Sequence, residues 1–150
     1  MKTDWRLHWH ELEPRVRVQN GDFVDIIIPL ASVEQWEPVH KLVRHRAFNI
    51  NYYDPKSDSN SSEYPRNLAN VYSDPESYLF CSIQFHSITI HLNYLGCPEI
   101  EAYIAAKELE SPKEFAIFLS FARLLRRIAC SSEYRIVADR LIIVNDVVLT

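Results

Sequence analysis

The sequence predicts an α+β domain: an antiparallel sheet of six to eight strands with one long helix at about 112–129 and one short helix at about 37–46 packed on it. Three observations predict it. Ile88, Ile90, Leu92 and Tyr94 alternate with Ser87, Thr89, His91 and Asn93, the pattern of a strand with one dry and one wet face. Ser111-Pro112-Lys113-Glu114 precedes a run with apolar residues at helical spacing. The chain has 150 residues, 47% of them hydrophobic, which suits one domain with its own core over residues 1–150.

The elements follow in chain order. Trp5-Arg6-Leu7-His8-Trp9-His10 alternates aromatic and polar residues, as a short strand or a docked arm does. Arg15 to Gln19 and Phe23 to Ile28 are β-rich runs joined by Asn20-Gly21, a strong hairpin signal because both turn positions need positive φ. The consecutive Ile26, Ile27 and Ile28 suggest a strand buried on both faces. Asp25 would then need the sheet edge or an arginine, Arg15 or Arg17. Ser32 to Gln35 resembles a capping box, but Pro38 comes too early for an unbroken helix. The expectation is a short turn at 32–36 and a helix from Glu37 to Arg46, with Val39, Leu42 and Val43 as its apolar stripe. Phe48 to Tyr52 alternates like a strand. The polar stretch 54–77 reads as one long loop anchored by Tyr64 and Tyr72.

A meander follows. Leu79, Cys81, Ile83 and Phe85 form the dry face of one strand, and Ile100, Ala102 and Ile104 that of another. With His86-Ser87 as a tight turn, matching dry faces put Phe85 opposite Ile88 and Ser82 opposite His91. A five-residue turn at 95–99 puts Tyr94 opposite Ile100 and His91 opposite Tyr103. The wet face then carries a row Ser82–His91–Tyr103, with Asn93 beside Glu101. In the long helix serine caps, proline suits the first helical position and glutamate closes the capping box. Phe115, Phe118, Leu119, Ala122, Leu125 and Ala129 share one face. Tyr134 to Ala138 and Leu141 to Leu149 read as terminal strands, and Asn145-Asp146 is placed to fold the last into a hairpin.

Composition narrows the function. Only two glycines are present, Gly21 and Gly96, against about ten in an average chain of this length. A Gly-rich phosphate loop, a dinucleotide fingerprint and a nucleophile elbow are therefore excluded. The net charge is −4, and residues 54–114 hold ten acids against four bases. That balance argues against nucleic acid, whose binders neutralise phosphate. Cys81, Cys97 and Cys130 form no C-x-x-C pair, so a zinc ribbon or thioredoxin-like motif fails. The first residues carry no apolar signal region, and apolar runs are too short to span a membrane. A cytoplasmic protein with free thiols is expected.

Candidate chemistry is sparse. His8 and His10 would share one face of a strand and could begin a metal site, though no third ligand is indicated. Ser82 and His91 could pair as nucleophile and base, without an evident orienting carboxylate or oxyanion hole. Glu99/Glu101 and Glu108/Glu110 lie close along the chain rather than across a cleft, as glycosidase chemistry requires. Arg123, Arg126 and Arg127 suit the helix C-terminus or a phosphate. No catalytic residue, metal or cofactor is assigned. Asp74, Glu76, Glu99, Glu101, Glu108 and Glu110, with Tyr78 and Tyr103 as anchors, are instead expected to form an acidic rim that binds a basic protein. The expected function is non-enzymatic neutralisation of one basic partner, a toxin or effector domain, in the manner of an immunity protein or antitoxin. A ligand-binding or adaptor domain of a larger assembly is the alternative, and an enzyme with a histidine-based site stands third.

Overall fold

A computed structural model describes residues 5–16, 22–94 and 99–149. Among the described residues are nine strands: β1 (Phe23–Pro29), β2 (Ala47–Asp54), β3 (Ser59–Ser61), β4 (Tyr78–Phe85), β5 (Ile88–Tyr94), β6 (Glu99–Ala105), β7 (Arg135–Ala138), β8 (Leu141–Val144) and β9 (Val147–Leu149). They form one antiparallel sheet in the order β3-β2-β4-β5-β6-β1-β7-β8-β9. Four helices accompany it: α1 (Trp9–Val16), α2 (Trp36–Val43), α3 (Ala69–Tyr72) and α4 (Pro112–Ile128). The fold is α+β as expected, with slightly more strands than six to eight. The extra strands are the three-residue β3 and the splitting of the C-terminal run into β8 and β9.

The meander has the expected register. Ser82 faces His91, His91 faces Tyr103 and Asn93 faces Glu101. Alternate residues Ile88, Ile90, Leu92 and Tyr94 are fully buried, while Thr89, His91 and Asn93 are half-buried. This is the period of two that a sheet with one covered face requires. In α4, the Ser111 hydroxyl accepts from Lys113 N–H and bonds the Glu114 carboxylate, and Pro112 opens the helix. Phe115, Phe118, Leu119, Phe121, Ala122 and Leu125 are buried, packing α4 across β1 and β5.

Four expectations change. The N-terminal segment is helical rather than extended. Trp5, Trp9, Leu12 and Val16 are all buried, spaced four, three and four apart, so one turn-and-helix face serves them. Both tryptophan rings meet Phe115, at centroid distances of 5.5 and 5.3 Å. The short helix begins at Trp36, after a single 3₁₀ turn at Val33–Gln35, and ends at Val43. Pro38 sits in its first turn, where its missing N–H costs little. The stretch 54–77 is no featureless loop: it contains β3 and α3, and Leu68 and Val71 are buried in the core. The isoleucine run is buried on one face only. Ile26 and Ile28 are buried, while Ile27 and Asp25 are half-buried on the other side.

The two glycines lie outside the described residues, as do the Asn20-Gly21 turn, most of the 95–99 turn, Arg17 and Cys97. Among the described residues, positive φ is taken by Asn49, Asp58, His86, Cys130, Asn145 and Asp146. Asparagine and aspartate tolerate that region best among residues with a Cβ. Asn49 sits where the β2–β4 register shifts between Phe48 and Asn51.

Candidate functional site

The helices cover one face of the sheet and leave the other open. Cross-strand register shows which residues share the open face. One row runs Phe48–Ser82–His91–Tyr103–Asp25–Val137–Ile142–Leu149 across β2, β4, β5, β6, β1, β7, β8 and β9. Asn93, Glu101, Ile27, Arg135, Val144 and Val147 form the neighbouring row. Six large apolar residues are exposed among the described ones, and five lie here: Phe23, Phe48, Ile142, Val147 and Leu149. A face that is both uncovered and apolar marks an interaction surface.

The face has two different halves. Over β4, β5, β6 and β1 it is aromatic and acidic. Phe80 stacks on His91 at 5.6 Å and 18°, and His91 meets Tyr103 at 4.9 Å. The exposed Phe23 ring closes the row edge-on to Tyr103 at 5.1 Å. The rings stand side by side because neighbouring strands are spaced about 4.8 Å apart. Burial and then the Glu101 charge push the Asp25 carboxyl above its usual range. Burial, then Glu101 and Asp25, push the Tyr103 phenol up as well. Two carboxylates therefore flank Tyr103. Over β7, β8 and β9 the face is aliphatic apart from Arg135, with Val137, Ile142, Val144, Val147 and Leu149.

The eight residues expected to form one acidic rim do not gather. Glu101 and Tyr103 lie in the middle of the open face, beside Asp25. Tyr78 and Glu99 lie at one end of it, opposite Tyr53 and Pro29. Asp74 and Glu76 are at that same end, in the turn entering β4, where the Asp74 carboxylate accepts the Glu76 N–H. Glu108 is at the opposite end, accepting the Thr89 N–H at 3.3 Å, and exposed Glu110 follows it toward α4. A seven-residue strand is roughly 20 Å long, so these ends are not one rim. Phe80, Phe23 and Asp25 were missing from the expected set. Phe80 was legible, because Leu79 and Cys81 on the dry face leave it on the wet one. Asp25 was masked by the reading of its strand as buried on both faces.

The Ser82–His91 pair forms, with Ser82 Oγ 2.5 Å from His91 Nδ1. Ser82 has no exposed surface, so its hydroxyl orients the imidazole within the aromatic row rather than meeting a substrate. Burial holds the His91 imidazole below its usual range, opposed by the Glu108 charge. His8 and His10 lose the strand that would have aligned them. His8 is in the turn before α1 and His10 within α1, and no group of three or more metal-ligating side chains is found among the described residues.

Two of the three arginines of α4 named above, Arg123 and Arg126, are engaged, and Arg127 is exposed. Arg123 donates to both Asp146 oxygens, at 3.0, 3.2 and 2.8 Å, and Tyr134 O–H donates to the same carboxylate. Arg126 donates to Asn145 Oδ1 at 2.9 Å, which also accepts the Tyr134 N–H. Arg123 and Arg126 thus latch the β8–β9 turn to the helix. Arg15 likewise donates to the carbonyls of Arg140 and Leu149, not to Asp25. Cys81 is buried, which pushes its thiol up to about 12 and makes it inert packing.

Beneath the helices, polar aromatics pin the 54–77 stretch. His40 stacks on Tyr64 at 5.0 Å, Tyr64 and Tyr94 hydroxyls bond at 2.5 Å, and Trp36 packs on Tyr94 at 4.1 Å. Among the described residues no helix is long and apolar enough to cross a membrane. No protein-family model, curated protein or solved structure matches the chain.

Proposed function

We propose that this chain is a non-enzymatic binding protein that neutralises a basic partner protein, in the manner of an immunity protein or antitoxin. The contact is the aromatic and acidic half of the open sheet face. The observation that carries the proposal is the ring row Phe80–His91–Tyr103–Phe23 with Asp25 and Glu101 beside it. Tyrosine and phenylalanine held rigidly by their neighbours lose little entropy on binding, the property of interface anchors. Carboxylates beside them attract a basic surface and speed its approach. Asp25 and Glu101 have no ion pair among the described residues that would compete with such a partner.

The docking residues are therefore narrowed to Phe23, Asp25, Phe80, Glu101 and Tyr103. Glu99 lies next to them, but its charge also acts on Arg135. The test is capture of partners from native lysate by the tagged chain, at low and moderate salt, beside E101K and Y103A variants. The expected result is one stoichiometric basic protein, weakened by salt and lost with either variant. A captured protein indifferent to both variants, or none at low salt, would contradict the proposal.

A further inference from the structure

The two edges of the sheet differ in a way that points to a second partner. β3 ends the sheet with Ser59, Asn60 and Ser61, all exposed, next to Lys56 and Asp58. Polar and charged residues on an edge discourage further pairing. β9 ends it with Val147-Val148-Leu149, with Val147 59% and Leu149 45% exposed. None of its three side chains is charged, and Arg15 reaches it only at the Leu149 carbonyl.

Its backbone is set for pairing. Asn145 and Asp146 both have positive φ, at 47° and 70°, and form the two-residue turn between β8 and β9. In such a hairpin the flanking residues Val144 and Val147 are the closing hydrogen-bonded pair. The ladder alternates from there, so Val148 turns its N–H and C=O away from β8. The strand is held in place at both ends. Arg123, Arg126 and Tyr134 hold the turn, and Arg15 donates to the Leu149 carbonyl at 3.1 Å.

We infer that β9 pairs with β9 of a second copy of this chain, antiparallel, about a two-fold axis at Val148. The two Val148 residues then exchange both backbone hydrogen bonds. Val147 of each copy falls opposite Leu149 of the other, on the open side of the sheet. The aliphatic strip Ile142, Val144, Val147 and Leu149 continues into the same strip of the partner. A two-fold contact needs a surface complementary to itself, and this strip is. The charged Arg135 and Arg15 beside it are both engaged, Arg135 with Glu133 at 2.8 Å and Arg15 with the Arg140 and Leu149 carbonyls. The acidic half of the face would instead set Asp25 and Glu101 against their own copies. Charge thus assigns the aliphatic half to a second copy and leaves the acidic half for a basic protein.

Sedimentation equilibrium of the purified chain tests this from micromolar to millimolar concentration. The mass is expected to rise from 17.6 kDa toward twice that value. The double variant V147K/L149K should raise the dissociation constant at least about tenfold. Its circular dichroism should be unchanged, since both side chains are exposed. V148P, which removes the outward N–H, should act in the same direction, and E101K should leave association intact. A wild-type mass that stays monomeric at millimolar concentration would overturn the inference. So would a dimer undiminished by V147K/L149K, or one abolished by E101K.

Discussion

The aromatic half and the aliphatic half of the open face are built from the same sheet but held by different forces. The aromatic half is stiffened from within: each ring is braced by the next, and Ser82 fixes His91 at the centre. The aliphatic half has no such bracing on its own surface. It is held from behind, by Arg123 and Arg126 of α4 and by Arg15 of α1. The difference teaches that an exposed apolar surface can be kept rigid either by its own side chains or by polar latches on the opposite side. It also separates the two surfaces experimentally, because each can be loosened without touching the other.

The sharpest separation is in partner affinity. Tyr103→Ala should weaken binding of the captured basic protein by about 30-fold, the loss of about 2 kcal/mol typical of an anchoring aromatic. L149K should leave that affinity nearly unchanged, because distant sites act independently. Titration calorimetry of both variants measures it. Next in size is the latch. Asp146→Ala leaves Arg123 and Tyr134 without their shared acceptor, and should cost about 2 kcal/mol in urea unfolding, less than a fully buried pair because both partners are partly exposed. It should also loosen β9 pairing while partner binding persists.

Smaller effects probe the aromatic half alone. Ser82→Ala removes one buried hydrogen bond and should cost about 1 kcal/mol, with broadened His91 and Tyr103 resonances. The smallest effect has the opposite sign. The folded-state pKa of Asp25 is raised above 3.8 by burial and by Glu101, so the folded chain holds more proton than the unfolded one just above that value. Stability therefore falls as pH rises through that window, and at neutral pH the charge is a net cost. Asp25→Asn should stabilise the protein at pH 7 by a few tenths of a kcal/mol, reduced by solvent screening, and the gain should vanish below pH 3.8. Thermal melts at the two pH values check it.

Much of this architecture was legible because strand alternation and helix capping are local. The Ser82–His91–Tyr103 row followed from matching dry faces across one tight turn, and α4 followed from its cap. What escaped depended on contacts far along the chain. Trp5, Trp9, Leu12 and Val16 have helical spacing, but alternation over Trp5 to His10 concealed it until Phe115 supplied the surface they pack on. Leu68 and Val71 are isolated apolar residues in a polar stretch, and only their burial under the helices makes that stretch structural. The acidic residues are spread over both ends of the sheet for a related reason. Carboxylates close along the chain, such as Glu108 and Glu110, were grouped with residues at the other end of the sheet. Arg123 and Arg126 were read through the helix dipole, and their engagement with a turn about 20 residues away had no local signal.

The two halves of the open face are proposed to serve different partners. The most direct measurement is binding of the captured basic protein to E101K and to V147K/L149K side by side, with the association state of each recorded. E101K is expected to lose the partner and keep self-association, and V147K/L149K to do the reverse. Loss of both properties in either variant would contradict it.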